Sequence, residues 1–471
     1  MLCLKIFKWF AFLFIFFTTS FMLMVCLFYE KYRGIHVQLI VGIFILSYFV
    51  LQSSGAFLNY QQSKKRLKSF QEILTVSEEP SVCFVVVGYR EDATYWENCL
   101  ISLRNCQYRN VIGVYGFVDG NDKDDQFMYD IFEKIYDREL GNNKECVMLP
   151  HRGKRFAMYD GFRYVRQRHP NNDYVIIIDS DTVIDPHSTE ALVSVIQSDD
   201  RIGCATGTLR IFNLVNLLTK IINARYAYAF DIERSAMSFF GSMNCCSGPF
   251  SIYRQNVLTD ELLDDFINQK YCCVRVGPGD DRHLTNLVMI SGYQSVQTSK
   301  AIAYTESPIQ FTRFLNQQLR WMRSFYREQV WQIQAIPQQS LYLSLITTYE
   351  ILFPFFILLG FFQKIFASVS NNILIHRAIY GAGILTLRTL FLVWMQNWDF
   401  RYLLNLLYFP LYFFFLLPIK IYAMLTCYQM GWITSSRHSI LTNSTIETFI
   451  MSIILTGWFA FIVYYVYGFH F

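Results

Sequence analysis

The sequence predicts an α/β domain of the nucleotide-binding type inserted in an α-helical, multi-span membrane protein. Three observations carry this. Of 471 residues, 53% are hydrophobic, 18% aromatic and only 17% charged, which is too apolar for an ordinary soluble chain. Both ends consist of long uncharged runs. Between them, from about residue 80 to about residue 310, short β-branched runs alternate with helical stretches.

Trp9 to Phe28 and Ile35 to Leu58 carry no charge, and a helix needs about 20 residues to cross a hydrocarbon core. Residues 1–60 therefore read as two spans; a signal-peptide core, of roughly 7 to 15 residues, is shorter than the first run. Lys64, Lys65, Arg66 and Lys68 follow directly, and the positive-inside rule places them, the N-terminus and the middle of the chain in the cytosol. Lys31 and Arg33, in the outward loop, pull weakly the other way.

Residues 61–310 form the predicted cytosolic domain. Val82–Val87, Val111–Val118 and Tyr174–Ile178 read as buried strands of a parallel sheet with helices on its faces. Ligands bind beyond the carboxyl ends of such strands. Here the strands run into Gly88-Tyr89-Arg90-Glu91-Asp92, Asp119-Gly120-Asn121 and Asp179-Ser180-Asp181, so one crevice would collect all three, and Tyr89 and Glu91 join its substrate-binding candidates.

Asp179 and Asp181, two residues apart at a strand end, can hold a hard divalent cation against a diphosphate; an exposed acidic turn is the bland alternative. Asp119 suits a nucleoside or a plain turn. Lys154, in His151-Arg152-Gly153-Lys154-Arg155, opens a helix where a phosphate is favoured, although a solvated basic face looks the same. Gly277-Pro278-Gly279-Asp280-Asp281-Arg282-His283 pairs two carboxylates in a turn: Asp281 as general base, Asp280 as N-cap of a helix starting near His283.

Residues 311–340 form an amphipathic stretch carrying Gln317, Gln318, Arg320 and Trp321. Snorkelling side chains on a membrane-surface helix explain it, and so do a sugar-stacking Trp and a phosphate-facing Arg. Residues 341–471 return to apolar runs, Leu341–Phe362, Ile373–Met395, Leu403–Leu425 and Phe449–Phe469. Pro410 and Pro418 interrupt the third, so 401–426 is expected to lie at the interface, which keeps the polar stretch Gln429 to Glu447 on the cytosolic side. The sequon Asn443-Ser444-Thr445 would then stay bare. Glu350 and Arg388 fall within spans, lining a hydrophilic path or forming a structural ion pair.

A net charge of +4, without a basic array, argues against nucleic acid. The 12 cysteines show no CxxC spacing, so neither zinc nor a disulfide framework is indicated.

Taken together, Val118-Asp119-Gly120-Asn121, Lys154-Arg155 with Met158-Tyr159, Asp179-Ser180-Asp181-Thr182, Ser247-Gly248-Pro249, Gly279-Asp280-Asp281-Arg282-His283-Leu284-Thr285-Asn286 and Gln317-Gln318-Leu319-Arg320-Trp321 resemble the processive family-two glycosyltransferases. That group contains the cellulose, chitin and hyaluronan synthases, and the likeness is greatest to the hyaluronan synthases. It implies a GT-A fold, Mn2+ or Mg2+ on Asp181 beside Asp179, nucleotide contacts from Asp119 and Asp179, Asp281 as base, and Trp321 beneath the acceptor sugar. It also implies Cys246 near the acceptor, and Trp432, Thr434 and Arg437 in a gating loop over 429–440, where Ile433 replaces the family's usual glycine.

The function so implied is alternating, inverting transfer from UDP-GlcA and UDP-GlcNAc to a growing hyaluronan chain. Lys154, Arg320 and Arg437 would neutralise departing UDP, and the product would leave through the plasma membrane along the enzyme's own channel, with the lipid bilayer but no obligatory protein as partner. Arg90, Arg210 and Arg275 are candidate cations for glucuronate. A chitin synthase using UDP-GlcNAc alone is the nearest alternative, and a transporter or membrane scaffold the alternative of another class.

Overall fold

The computed structural model describes residues 5, 8–9, 11–14, 45–73, 79–137, 143–367, 371–429 and 442–467. The strands are β1 Val82–Gly88, β2 Val111–Val118, β3 Lys144–Met148, β4 Tyr174–Asp179, β5 Val183–Ile184, β6 Ile202–Ile211, β7 Phe250–Arg254, β8 Lys270–Tyr271, β9 Val274–Arg275 and β10 Gln294–Thr305. The helices are α1 (45–73), α2 Ala93–Arg104, α3 Gln126–Tyr136, α4 Lys154–Arg168, α5 Ser188–Gln197, α6 Leu217–Tyr228, α7 Ser235–Phe239, α8 Asp260–Ile267, α9 Asp280–Ile290, α10 Phe311–Ala335, α11 Leu341–Ala367, α12 Asn371–Met395, α13 Asn405–Leu411, α14 Leu417–Leu425 and α15 Thr442–Tyr467.

Eight strands form one sheet in the order β3-β2-β1-β4-β7-β6-β10-β5. The sheet is mixed rather than parallel as the sequence pattern predicts: β7 runs antiparallel to both β4 and β6, and β5 antiparallel to β10. β1, β2, β3 and β4 keep the parallel arrangement, with β1 between β2 and β4. These central strands are apolar at nearly every position because both of their faces are covered.

The period of two in a strand divides the core. Val82, Phe84 and Val86 of β1 pack with Trp96 and Leu100 of α2, Phe132 of α3 and Leu192 of α5. Cys83, Val85 and Val87 pack on the other side with Met158 and Phe162 of α4, Leu263 of α8 and Leu284 of α9. Helices thus cover both faces.

The amphipathic α10 buries Phe314, Leu315 and Leu319 against Leu416, Ile419 and Ala423, which joins the α/β domain to the apolar helices. The segment expected at the interface is a helical run over Phe400–Leu425, 26 residues, long and apolar enough by length and composition to cross a membrane. It is not one regular helix, since a 3-10 turn precedes α13 and a π turn separates α13 from α14.

Candidate active site

The strand ends converge because register forces them to. Asp119 N–H donates to Gly88 O at 2.8 Å, and Ser180 N–H to Val87 O at 3.2 Å, so the ends of β1, β2 and β4 lie side by side. Gly88 permits this approach, because a Cβ there would meet Ser180 Cβ at 2.8 Å.

Asp119 is buried at the end of β2. Its carboxylate accepts from Arg152 N–H at 2.9 Å and Gly153 N–H at 2.9 and 3.1 Å, fixing the turn that opens α4. His151 Nδ1 stands 3.0 Å from the same carboxylate, and its ring stacks on Tyr89 with centroids 4.2 Å apart. Burial pushes Asp119 above the usual carboxylate range, against these donors. Asp119 is therefore largely committed to the protein, and the aromatic pair Tyr89–His151 is the accessible surface above it. Glu91 accepts from Ser180 Oγ at 3.1 Å, tying the first strand's loop to the acidic motif.

α4 starts at Lys154, and no side chain caps its first turn. Lys154 Nζ lies 2.5 Å from Asp179 Oδ1 and 3.6 Å from Asp280 Oδ2. Burial pulls Lys154 down, but Asp179 and Asp280 outweigh it and hold the ammonium above its ordinary value. Asp179 responds differently: burial, with Asp280 and Asp281 nearby, raises it despite Lys154. The pair is asymmetric because one ammonium faces several carboxylates. A Cβ at Gly248 would come within 3.0 Å of Lys154 Nζ, so the Ser247-Gly248-Pro249 turn forms the wall beside this pair.

The second acidic motif departs from expectation at its cap. α9 begins at Asp280, three residues before His283, and its N-cap is Gly279 in a left-handed conformation, φ 93°. Asp280 is thus not the cap. Its side chain is buried and lies 3.6 Å from Lys154 Nζ, whereas the hydrogen-bond contacts of Asp281 are to Arg282 and Cys245. Asp281 Oδ1 accepts from Arg282 N–H at 2.8 Å, and Cys245 Sγ lies 3.5 Å from Oδ2. Burial, then Asp281, push the Cys245 thiol up to about 12, so it remains a donor.

Cys246, expected near the acceptor, is fully buried; its N–H donates to Thr285 Oγ1 at 2.8 Å. Its neighbour Cys245 is the thiol beside Asp281, a distinction of one residue that a Cys-Cys pair hides in sequence.

Glu328 of α10 is fully buried and accepts from Gln269 Nε2 at 2.7 Å and Asn286 Nδ2 at 3.3 Å, with His283 Nδ1 at 3.1 Å. Arg327 Nη2 donates to Pro278 O at 2.8 Å. These bonds lock α9 to α10 and so align the Asp280-Asp281 pair with Arg320. Burial pulls Arg320 below the usual arginine range while Asp280, Asp281 and Asp179 oppose it, and its Nε is buried without a hydrogen-bond partner. Gln317 is half-buried and Trp321 is 39% exposed on the same helix. Trp432, Thr434 and Arg437 lie outside the described residues.

Glu350 and Arg388 do not pair with each other. Glu350 accepts from Asn244 Nδ2 at 3.0 and 3.3 Å, whereas Arg388 donates to Gln52 Oε1 at 3.1 Å and to Tyr228, 3.9 Å from Glu233. The three arginines considered for glucuronate are already engaged. Arg90 is held by Asp125 at 3.1 Å, Arg210 by Asp231 at 2.5 Å, and Arg275 by Asn268 at 3.0 Å.

Among the described residues, no three His, Cys, Asp or Glu side chains are grouped to hold a metal alone. Asp179, Asp280 and Asp281 nevertheless gather around Lys154 and Arg320, and Asp280 Oδ2 is buried without a hydrogen bond. That surplus of carboxylate fits a hard divalent cation completed by a diphosphate and water, as Mg2+ commonly is.

Residues 80–324 match the protein family described as Glycosyltransferase like family 2. Hyaluronan synthase 2 of Homo sapiens is 32% identical over 465 residues, covering 89% of this chain and 79% of its own length. Hyaluronan synthase 2 of Gallus gallus is 31% identical, covering 90% and 81%, and hyaluronan synthase 1 of Xenopus laevis 30% identical, covering 85% and 74%. Among solved structures, a Pyrobaculum calidifontis mannosyltransferase in complex with GDP-Man and Mn2+ covers 75% of this chain and 94% of its own at 14% identity and TM-score 0.42, a likeness too loose to argue from.

Proposed function

Since this chain belongs to the hyaluronan synthases, family-two glycosyltransferases of GT-A fold, we propose that one site takes UDP-GlcA and UDP-GlcNAc alternately and extends hyaluronan by inverting transfer. The observation that carries the mechanism is that two adjacent carboxylates have different close partners. Asp280 turns toward Lys154 on the donor side; Asp281 turns toward Cys245.

In this mechanism the nucleoside stacks at Tyr89–His151 beside Asp119, and Lys154 and Arg320 face the diphosphate. Asp181, with Asp179 beside it, would hold a divalent cation, Mn2+ or Mg2+, which would supply further neutralisation of the leaving group. Asp281 removes the proton of the acceptor hydroxyl as its oxygen attacks the anomeric carbon, and the bond to UDP breaks on the opposite face. One displacement inverts the centre. Gln317 and Trp321 support the acceptor sugar, and Trp432, Thr434 and Arg437 retain the gating role that the family resemblance implies. The enzyme is placed in the plasma membrane with its catalytic domain cytosolic, and the run Phe400–Leu425 supports membrane embedding.

The test is purified protein given Mn2+ with either or both donors. Polymer should form only with both and be removed by hyaluronidase; polymer from UDP-GlcNAc alone would make the enzyme a chitin synthase. Asp281→Asn should keep UDP binding while synthesis falls by about 10²-fold or more. Near-normal synthesis by that variant would remove Asp281 as base.

A further inference from the structure

Alternation requires the site to tell two acceptor ends apart, and only one of them carries a carboxylate. The groups behind Asp281, toward α11 and α14, are unevenly charged for an apolar setting. Arg282 and Lys420 both stand over the Phe325 ring, their charged groups 5.5 and 5.3 Å from its centre. Glu350 interacts electrostatically with both, but its oxygens are hydrogen-bonded by Asn244. Arg282 Nη1 is buried and has no hydrogen-bond partner.

Three neighbouring cations have partners of their own, although Arg155 Nε and Nη2 are also buried without a hydrogen bond. Lys154 is held by Asp179, Arg234 donates to Ser247 and lies 4.2 Å over Phe230, and Arg155 donates to Phe266 O and Gln269. Arg282 adjoins Asp281 in sequence and, with Cys245 and Glu350, lies within its electrostatic neighbourhood. Buried guanidinium nitrogens without an acceptor also occur on Arg155 and Arg320, but of the three only Arg282 adjoins Asp281 in sequence, and its planar fork matches a carboxylate.

We infer that Arg282 is the cation that receives the glucuronate carboxylate of the acceptor end, making it a specificity-determining residue for the step that adds GlcNAc. The inference rests on the hyaluronan reading above. It places the carboxylate on the side of Asp281 that adjoins Glu350 of α11 and Lys420 of α14.

The experiment measures binding of two oligosaccharides to the full chain in detergent: a hyaluronan oligosaccharide ending in glucuronate, and the same compound with that carboxyl reduced to glucose. The wild type should prefer the carboxylate by about 10-fold or more, the effect of a charge-assisted hydrogen bond, and Arg282→Gln should bind both alike. Arg282→Lys, which keeps the charge but not the fork, should recover part of the preference. Because the readout is a ratio, a general loss of affinity does not mimic it. An unchanged preference in Arg282→Gln, or none in the wild type, overturns the inference. Polymer synthesis by the wild type from both donors tests the parent reading separately: if UDP-GlcNAc alone suffices, that reading fails and this one with it.

Discussion

Lys154 shows how a single residue organises the polar site. It is the ammonium between Asp179 and Asp280, at 2.5 and 3.6 Å. Removing one partner of a buried pair leaves the other uncompensated, which costs about 3–5 kcal/mol. Lys154→Met should therefore lower the melting temperature and weaken UDP binding together. A variant with unaltered UDP affinity would show that Lys154 is only structural. Residue types were legible in the sequence here, since Lys154, Asp179 and Asp281 all fall within its candidate motifs. Their partners were not, because sequence spacing says nothing of which carboxylate an ammonium 126 residues from Asp280 will meet. For the same reason Asp119, expected to serve the nucleotide, is mostly spent on the α4 turn, and Cys246 lies in the core while Cys245 meets Asp281.

At the scale of elements, the α9–α10 clamp positions the chemistry. Burial pushes the Glu328 carboxyl up, but His283, Gln269 and Arg155 together bring it below its ordinary value. A depressed carboxylate contributes stability above its unfolded pKa, about 4.3, and loses it as pH falls through the lower folded value. Acidification below about pH 4 should thus loosen α9 from α10. The ring of Trp331 lies 5.0 Å from that of His283 and provides a fluorescence reporter. Glu328→Gln should be destabilised by about 3–5 kcal/mol at neutral pH and lack the acid step. An identical acid transition in both proteins would exclude Glu328 as its origin. β1, β2 and β4 were readable because burial on both faces demands unbroken apolar runs. β6, β7 and β10 were not, since residues such as Thr206, Ser251 and Gln297 stay buried by hydrogen bonding rather than by hydrophobicity.

At the scale of the molecule, the side on which residues 429–447 lie decides whether a gating loop can reach the donor. The cytosolic placement predicts that Asn443 stays unmodified when the chain is made in a glycosylating cell, so its gel mobility should not change with endoglycosidase. A shift abolished by Asn443→Gln would put that segment across the membrane and remove the gating proposal. The helical run Phe400–Leu425 makes this test pointed, because it has the length to cross where an interfacial course was expected. By itself, the sequence determined the α/β plan, the apolar runs that flank it and the acidic motifs, because apolar run length, strand period and charged strand ends are local properties. Only the tertiary structure decided the mixed sheet, the different partners of Asp280 and Asp281, the Glu328 clamp and the buried Arg282 Nη1 without a hydrogen bond. Each depends on contacts between residues far apart in the chain, and local pattern does not encode which distant groups burial will bring together.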